Sequence, residues 1–319
     1  MDREHTIREG ELMAKVVVSG ASGLVGSELL PLLQARGYGV LRLVREQSVI
    51  GGGDMWSKRD LVPWDPVAGE LDVAALEGTE VVVHLAGENI AAGRWNAARK
   101  ERIRESRVAG TKLLCSKLAE MPNPPGVLVC ASAIGYYGDR GDESLPEDAP
   151  AGEGFLPDIC REWEAASSAA EHAGIRVVRL RIGVVLSSKG GALKKMLLPF
   201  KMGAGGKVGS GRQYMSWISI DDLTRVILHC IESDSLSGAV NAVAPASVTN
   251  KEFTKILGRV LVRPTMFPLP SFAARMVLGE MADALLLASA KVEPAALEKS
   301  GFEFEHNDLE GALRHLLGK

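Results

Sequence analysis

The sequence predicts an α/β protein built on a doubly wound parallel sheet, with a smaller second domain on the substrate side. Short β-branched runs alternate with helix-length segments through the first half of the chain. A glycine triplet falls between the first strand and the first helix, and the second half is less regular.

In order along the chain, residues 1–13 are mostly polar and read as an N-terminal tail, with Met13 a candidate alternative start. Residues 16–18 read as a strand and 23–34 as a helix stopped by Gly37. A second strand follows at 40–44, then an irregular stretch over 54–70 with Gly51, Gly52 and Gly53 before it. Residues 81–85 read as a buried strand and 96–118 as a long helix, ended by Pro122, Pro124 and Pro125. The next strand is 127–131, and a polar, Gly-rich loop runs to about Gly154. A single helix over 157–172 stops at Gly174 and leads into strand 176–181. Beyond it come an amphipathic segment (193–202), a Gly-rich stretch (203–211), a short strand (217–220), a helix (221–232) and, after Asn250, helical segments separated by prolines. Residues 14–186, completed by 217–245, are expected to form the sheet domain. Residues 187–216 and 246–319 would form the smaller domain over the carboxyl ends of the strands.

The 319 residues are 46% hydrophobic and 24% charged, the balance of a protein with a full core. A formal net charge of −3 provides no general attraction to nucleic acid or anionic membrane, and neither is expected as a partner. Apolar runs such as 81–83 and 285–288 fall far short of the roughly 20 residues a bilayer span needs. No N-terminal segment reads as a secretory signal. Cys115, Cys130, Cys160 and Cys230 are scattered, so reduced structural thiols and a cytoplasmic location are expected.

Gly20, Ala21, Ser22, Gly23, Leu24, Val25 and Gly26 form the loop between the first strand and helix. Gly20 permits the tight turn, Gly23 lets backbone N–H groups approach a pyrophosphate, and Gly26 allows close helix–strand packing. The helix N-terminus adds a dipole that favours phosphate. The loop therefore predicts a bound nicotinamide dinucleotide, in a Rossmann-type domain. Arg45, just past the second strand, would accommodate a ribose 2′-phosphate, so NADP(H) is favoured over NAD(H), although Glu46 beside it points the other way.

With this loop, His84-Leu-Ala-Gly87, Arg107-Val-Ala-Gly-Thr111, Ser132 and Trp217-Ile-Ser-Ile-Asp-Asp222 in view, the chain resembles the extended short-chain dehydrogenase/reductases. More closely, it is similar to their atypical, nucleotide-sugar epimerase-like branch, which carries a C-terminal domain of unknown function. That likeness rests on Gly87-Glu-Asn-Ile90, Ser132-Ala-Ile-Gly-Tyr-Tyr-Gly138, Cys160-Arg-Glu-Trp-Glu164 and Arg181-Ile-Gly-Val-Val-Leu186, and spans about 14–318. The resemblance implies that Asp65, after the third strand, contacts the adenine. It also implies that Leu85, Ala86 and Gly87 line the ribose and nicotinamide side, and that Ala131 and Ser132 lie beside the nicotinamide. His84 reads as a buried strand histidine bonded to backbone.

Short-chain reductases generally pair a tyrosine with a lysine four residues on, the lysine easing proton exchange by the phenol. Ser132 matches the family's substrate-binding serine, but Leu156 and Cys160 stand where the pair belongs. Tyr136 and Tyr137 are the substitute acids, with Arg140 a candidate cation for Tyr136; packing is the competing role for both tyrosines. Glu88, Asn89 and Arg94 are candidate contacts for a polar or anionic substrate, with Glu88 also a candidate base and surface solvation as the alternative. Residues 210–217 resemble the segment that faces the sugar nucleotide in family epimerases, which makes Arg212 a candidate bidentate grip on a phosphate or carboxylate, with Gln213 and Tyr214 as neighbours. Asp221 and Asp222 look like paired catalytic carboxylates but read better as residues that cap and charge the first turn of a helix. The six histidines lack metal-ligand spacing, so no metal site is expected.

Two functions stay open at this point. One is an NADP(H)-binding, epimerase-like oxidoreductase acting on a small polar substrate, with a nucleotide sugar as candidate. The alternative is a catalytically silent NADP(H)-binding protein that regulates a protein partner. The resemblance also implies a homodimer, paired through helices 96–118 and 157–172.

Overall fold

The computed structural model describes residues 13–45 and 60–319. The tail up to residue 12, Glu46 and Gly51–Gly53 of the sequence reading lie outside the described residues. Strands β1 (Met13–Ser19), β2 (Tyr38–Val44), β3 (Leu61–Asp65), β4 (Glu70–Leu71), β5 (Thr79–His84), β6 (Val127–Ala133), β8 (Arg176–Ile182) and β12 (Gly238–Ala242) form one eight-stranded sheet. Its order is β12-β8-β6-β5-β1-β2-β3-β4, and every pairing is parallel except β3 with β4. Short strands β7 (Ser144–Leu145), β9 (Val184–Leu186), β10 (Tyr214–Met215), β11 (Trp217–Ser219), β13 (Val248–Thr249) and β14 (Lys291–Val292) pair two by two outside it.

A parallel sheet covered on both faces demands apolar side chains at consecutive positions. Val16, Val17 and Val18 in β1 are fully buried, as are Val82 and Val83 in β5. Alternation sends Val16 and Val18 into one core with Leu29 and Leu33 of helix α1 (Leu24–Ala35). Val17 faces the other core, with Leu114 and Leu118 of helix α2 (Ala97–Ala119). Helix α2 starts where Asn96 caps it, accepting the Arg99 N–H at 2.8 Å.

Two sequence readings need correction. The stretch 54–70 is not irregular throughout: Leu61–Asp65 is a strand parallel to β2. Pro63 obscures it, since proline lowers strand expectation, yet near a sheet edge its missing donor is tolerated. The helix read over 157–172 is two helices, α3 (Phe155–Ala165) and α4 (Ser168–His172). The break coincides with Arg179, whose Nε donates to the Glu164 carbonyl and to Ser167 Oγ.

The chain after β8 supplies helix α5 (Gly191–Lys201), helix α6 (Ile220–Glu232) and helix α7 (Asn250–Leu261). Leu193, Leu197, Phe200, Trp217, Phe253 and Leu257 share a core with Leu309 and Leu313 of the last helix, Leu309–Leu317. Among the described residues, no helix is long and apolar enough to cross a membrane.

Candidate active site

The strand order reverses at β1, whose chain neighbour β2 lies on one side while β5 lies on the other. Open α/β sheets bind ligands in the crevice outside the carboxyl ends at such a point. The glycine loop sits there. Gly20 adopts φ +69°, and a Cβ on it would lie 2.7 Å from the Leu85 carbonyl carbon and 2.8 Å from the Ala86 nitrogen. A Cβ on Gly26 would lie 2.4 Å from the Gly20 oxygen. Gly23 is the N-cap of α1, and its N–H donates to the Gly20 oxygen at 2.9 Å. The loop thus has no room for a side chain at Gly20 or Gly26, and with the N-terminus of α1 it fits a dinucleotide phosphate. Leu24, on the same loop, packs against Gly190 and Gly191 before and at the start of α5. Ala21 is buried, Ser22 exposed and Val25 half-buried.

Below the cradle, Ser19 and His84 are register partners across β1 and β5. Ser19 Oγ lies 2.6 Å from His84 Nδ1, and His84 Nε2 lies 3.1 Å from Thr111 Oγ1, which also accepts from Trp163 Nε1 at 2.9 Å. His84 is buried as expected, but its partners are side chains rather than backbone. Burial pushes its pKa down to about 4, so the ring is neutral. Ser19 Oγ accepts the Ala86 N–H at 3.3 Å, fixing the turn of Leu85, Ala86 and Gly87 under the glycine loop.

Arg45 is exposed immediately after β2, and Asp65 ends β3 with its carboxylate accepting the N–H groups of Val67 and Ala68.

Ser132 and Arg181 are register partners at the carboxyl ends of β6 and β8. Ser132 Oγ donates to Glu164 Oε1 at 2.7 Å, and Arg181 grips the same carboxylate through Nε at 2.8 Å and a terminal nitrogen at 2.9 Å. The other terminal nitrogen donates to Tyr137 Oη at 2.9 Å, and Tyr137 in turn donates to Asn241 Oδ1 at 2.7 Å. Tyr137 is fully buried, with desolvation raising its pKa despite Arg181. Its hydroxyl is consumed inside the protein. Tyr136 is half-buried, its ring edge-on to Tyr137 and its hydroxyl without a protein partner among the described residues. The cation against its ring is Arg181, 3.5 Å from the centroid. Arg140, the cation expected from spacing, is instead held by Glu143 and the Pro150 carbonyl. A loop turning at Gly138 and Gly141 does not keep the four-residue spacing of a helix face. Leu156 and Cys160 pack against Gly135, and burial pushes the Cys160 thiol up to about 12.

The 88–95 loop is braced on several elements. Glu88 donates its N–H to Ser106 Oγ and pairs with Arg99 at 3.6 Å. Asn89 turns the loop by accepting the Ala91 N–H, and Arg94 is exposed beside Gly279. Gln213 is buried, its amide donating to the Val208 and Leu286 carbonyls. Tyr214 belongs to β10, under Lys291, and Arg212 is exposed. Among the described residues, no hydrogen bond or ion pair joins 212–214 to Glu88, Asn89 or Arg94.

Two groups escaped the sequence reading. Glu164 orients Ser132, although it was visible only as part of a family-like segment. Arg107 lies against Gly87, where an added Cβ would be 3.4 Å from its guanidinium carbon, and over the Trp163 ring at 5.1 Å. Its guanidinium donates to one protein acceptor, the Ile103 carbonyl. Its four other N–H groups make no hydrogen bond among the described residues.

Residues 16–242 match the NAD dependent epimerase/dehydratase family, and residues 269–316 match a domain of unknown function, DUF1731. An epimerase family protein of Mycobacterium bovis is 44% identical over 300 residues, covering 94% of this chain and 96% of that protein. The epimerase family protein SDR39U1 of Homo sapiens is 35% identical over 306 residues, 95% and 99% of the two chains. The crystal structure of human SDR39U1 (isoform 2) with NADPH superposes with TM-score 0.85 at 34% identity, covering 95% of this chain and 99% of that one. A nucleoside-diphosphate sugar epimerase from Corynebacterium glutamicum superposes with TM-score 0.77 at 38% identity, over 96% of this chain and 58% of that one.

Proposed function

The chain belongs to the NAD dependent epimerase/dehydratase family, and from that premise we propose that it is an NADP(H)-binding, epimerase-like oxidoreductase. Its substrate is small and polar, with a nucleotide sugar the leading candidate. The observation that carries this reading is the cradle of Gly20, Gly23 and Gly26, in which backbone contacts leave no space for a side chain at Gly20 or Gly26. The NADPH named in the human SDR39U1 structure supports the choice of cofactor, and exposed Arg45 supports the phosphorylated form.

When bound, the nicotinamide supplies or accepts a hydride. Tyr136 Oη moves the proton, since it is the one predicted catalytic hydroxyl not spent on an internal bond. Arg181 against its ring stabilises the charge a departing proton leaves. Ser132, whose proton is committed to Glu164, accepts a hydrogen bond from a substrate hydroxyl. Arg107 binds an anionic group of cofactor or substrate beside Gly87.

The test is to incubate the NADPH complex with carbonyl compounds and nucleotide sugars, following cofactor absorbance and sugar products together. Turnover that Tyr136→Phe removes supports the assignment; turnover indifferent to it refutes the role of Tyr136. A second reading, an NADP(H)-binding protein that regulates a partner, is favoured by Leu156 and Cys160 at the place of the family's tyrosine and lysine. It predicts cofactor-dependent partner capture with no turnover.

A further inference from the structure

We propose that Asp221, His306 and His315 form a binding site for one divalent transition-metal ion of the zinc class, fastening the last helix to the sheet domain. One ligand atom from each residue lies within 4.8 Å of the others. The three come from separate elements: Asp221 from the first turn of α6, His306 from the loop before the last helix, and His315 from that helix. This is why their spacing in sequence carries no metal signature.

Two of the three donor atoms are left without a hydrogen-bond partner inside the protein. His306 Nε2 and Asp221 Oδ2 are both buried and make no hydrogen bond. His315 Nε2 approaches Asp221 Oδ2 to 3.3 Å, yet the pair is not aligned as a hydrogen bond. Zinc–ligand distances of 2.0–2.2 Å in a tetrahedron place neighbouring donors about 3.3–3.6 Å apart. The 3.3 Å between His315 and Asp221 falls in that range. The two imidazole rings lie 4.7 Å apart at 35°, with one nitrogen of each within 4.8 Å of the Asp221 carboxylate.

The site is also built from behind. Asp222, fully buried, accepts the N–H groups of Glu305 at 2.9 Å and His306 at 3.0 Å, which clamps the His306 backbone onto the turn that carries Asp221. Rather than capping α6, a task that falls to Ser219, Asp222 organises this corner. Arg225, the nearby cation, is neutralised by Asp222 and Glu305. Two imidazole nitrogens and one carboxylate oxygen suit zinc or a neighbouring first-row ion, whereas calcium and magnesium prefer oxygen donors alone. With His315 on the exposed side, the fourth position is left to water.

The experiment is calorimetric titration of the chelator-treated full chain with Zn2+, with Co2+ absorption as a report on tetrahedral N/O ligation. The wild type is expected to bind one equivalent and to melt at higher temperature with zinc. His306→Ala and His315→Ala should each weaken binding by more than about 100-fold, beyond what loss of an outer-shell partner does. His172→Ala, an exposed histidine elsewhere, should leave binding unchanged. His315 is exposed, so its variant folds and carries the test if His306→Ala does not. No stoichiometric binding, or one equivalent that survives His315→Ala, overturns the proposal.

Discussion

The guanidinium carbon of Arg181 sits 3.5 Å from the ring centroid of Tyr136, while the same side chain holds both oxygens of Glu164 and the hydroxyl of Tyr137. One cation therefore joins the serine, both tyrosines and the sheet edge. Removing it leaves the Glu164 carboxylate nearly buried and unpaired, which costs about 3–5 kcal/mol. Arg181→Met should accordingly show a much lower denaturation midpoint, and Glu164→Gln a smaller loss, both read by urea unfolding.

The two tyrosines separate cleanly by substitution. Tyr137→Phe deletes a hydroxyl bonded to Arg181 and Asn241, so it should cost about 1–3 kcal/mol of stability. Tyr136→Phe removes a hydroxyl with no protein partner and should change stability by less than about 0.5 kcal/mol. If Tyr136 moves the proton, the same variant should lower kcat by about 100-fold or more. Equal stability losses in the two variants would contradict the assignment.

Stability should fall in acid because of His84. Its folded pKa of about 4 lies below the ordinary value of 6.5, so on acidification the unfolded chain takes up the proton first. The contribution is fully present above pH 6.5 and is lost as pH falls toward 4. The gap corresponds to about 3 kcal/mol. Urea midpoints across that range should drop in the wild type and drop less in His84→Gln.

Much of this was legible beforehand. Consecutive buried valines in β1 and β5 reveal a sheet covered on both faces, and Gly20, Gly23 and Gly26 mark the loop, with backbone crowding at Gly20 and Gly26 that admits nothing larger. The motifs around Gly87, Ser132 and Glu164 identify the family that the comparisons show. What stayed hidden depends on contacts distant in sequence. Tyr137 and Asn241 are 104 positions apart, Arg181 displaces Arg140 as the cation at Tyr136, and Asp221, His306 and His315 meet only after folding. Local pattern reports which face of an element is buried, not which polar side chains converge on it.

Arg45 supplies the test of cofactor choice at the end of β2. Arg45→Ala should weaken NADPH binding about tenfold, the value of one charge-assisted hydrogen bond, and leave NADH binding unchanged.

The central claim, that the glycine cradle holds NADP(H), is tested most directly by fluorescence titration of wild type and Gly26→Ala with NADPH and NADH. The account predicts saturable binding by the wild type with NADPH preferred. It predicts at least about a tenfold loss in Gly26→Ala, whose Cβ would collide with the Gly20 oxygen at 2.4 Å. Wild-type protein that binds neither nucleotide, or a folded Gly26→Ala that binds NADPH as tightly as wild type, would contradict it.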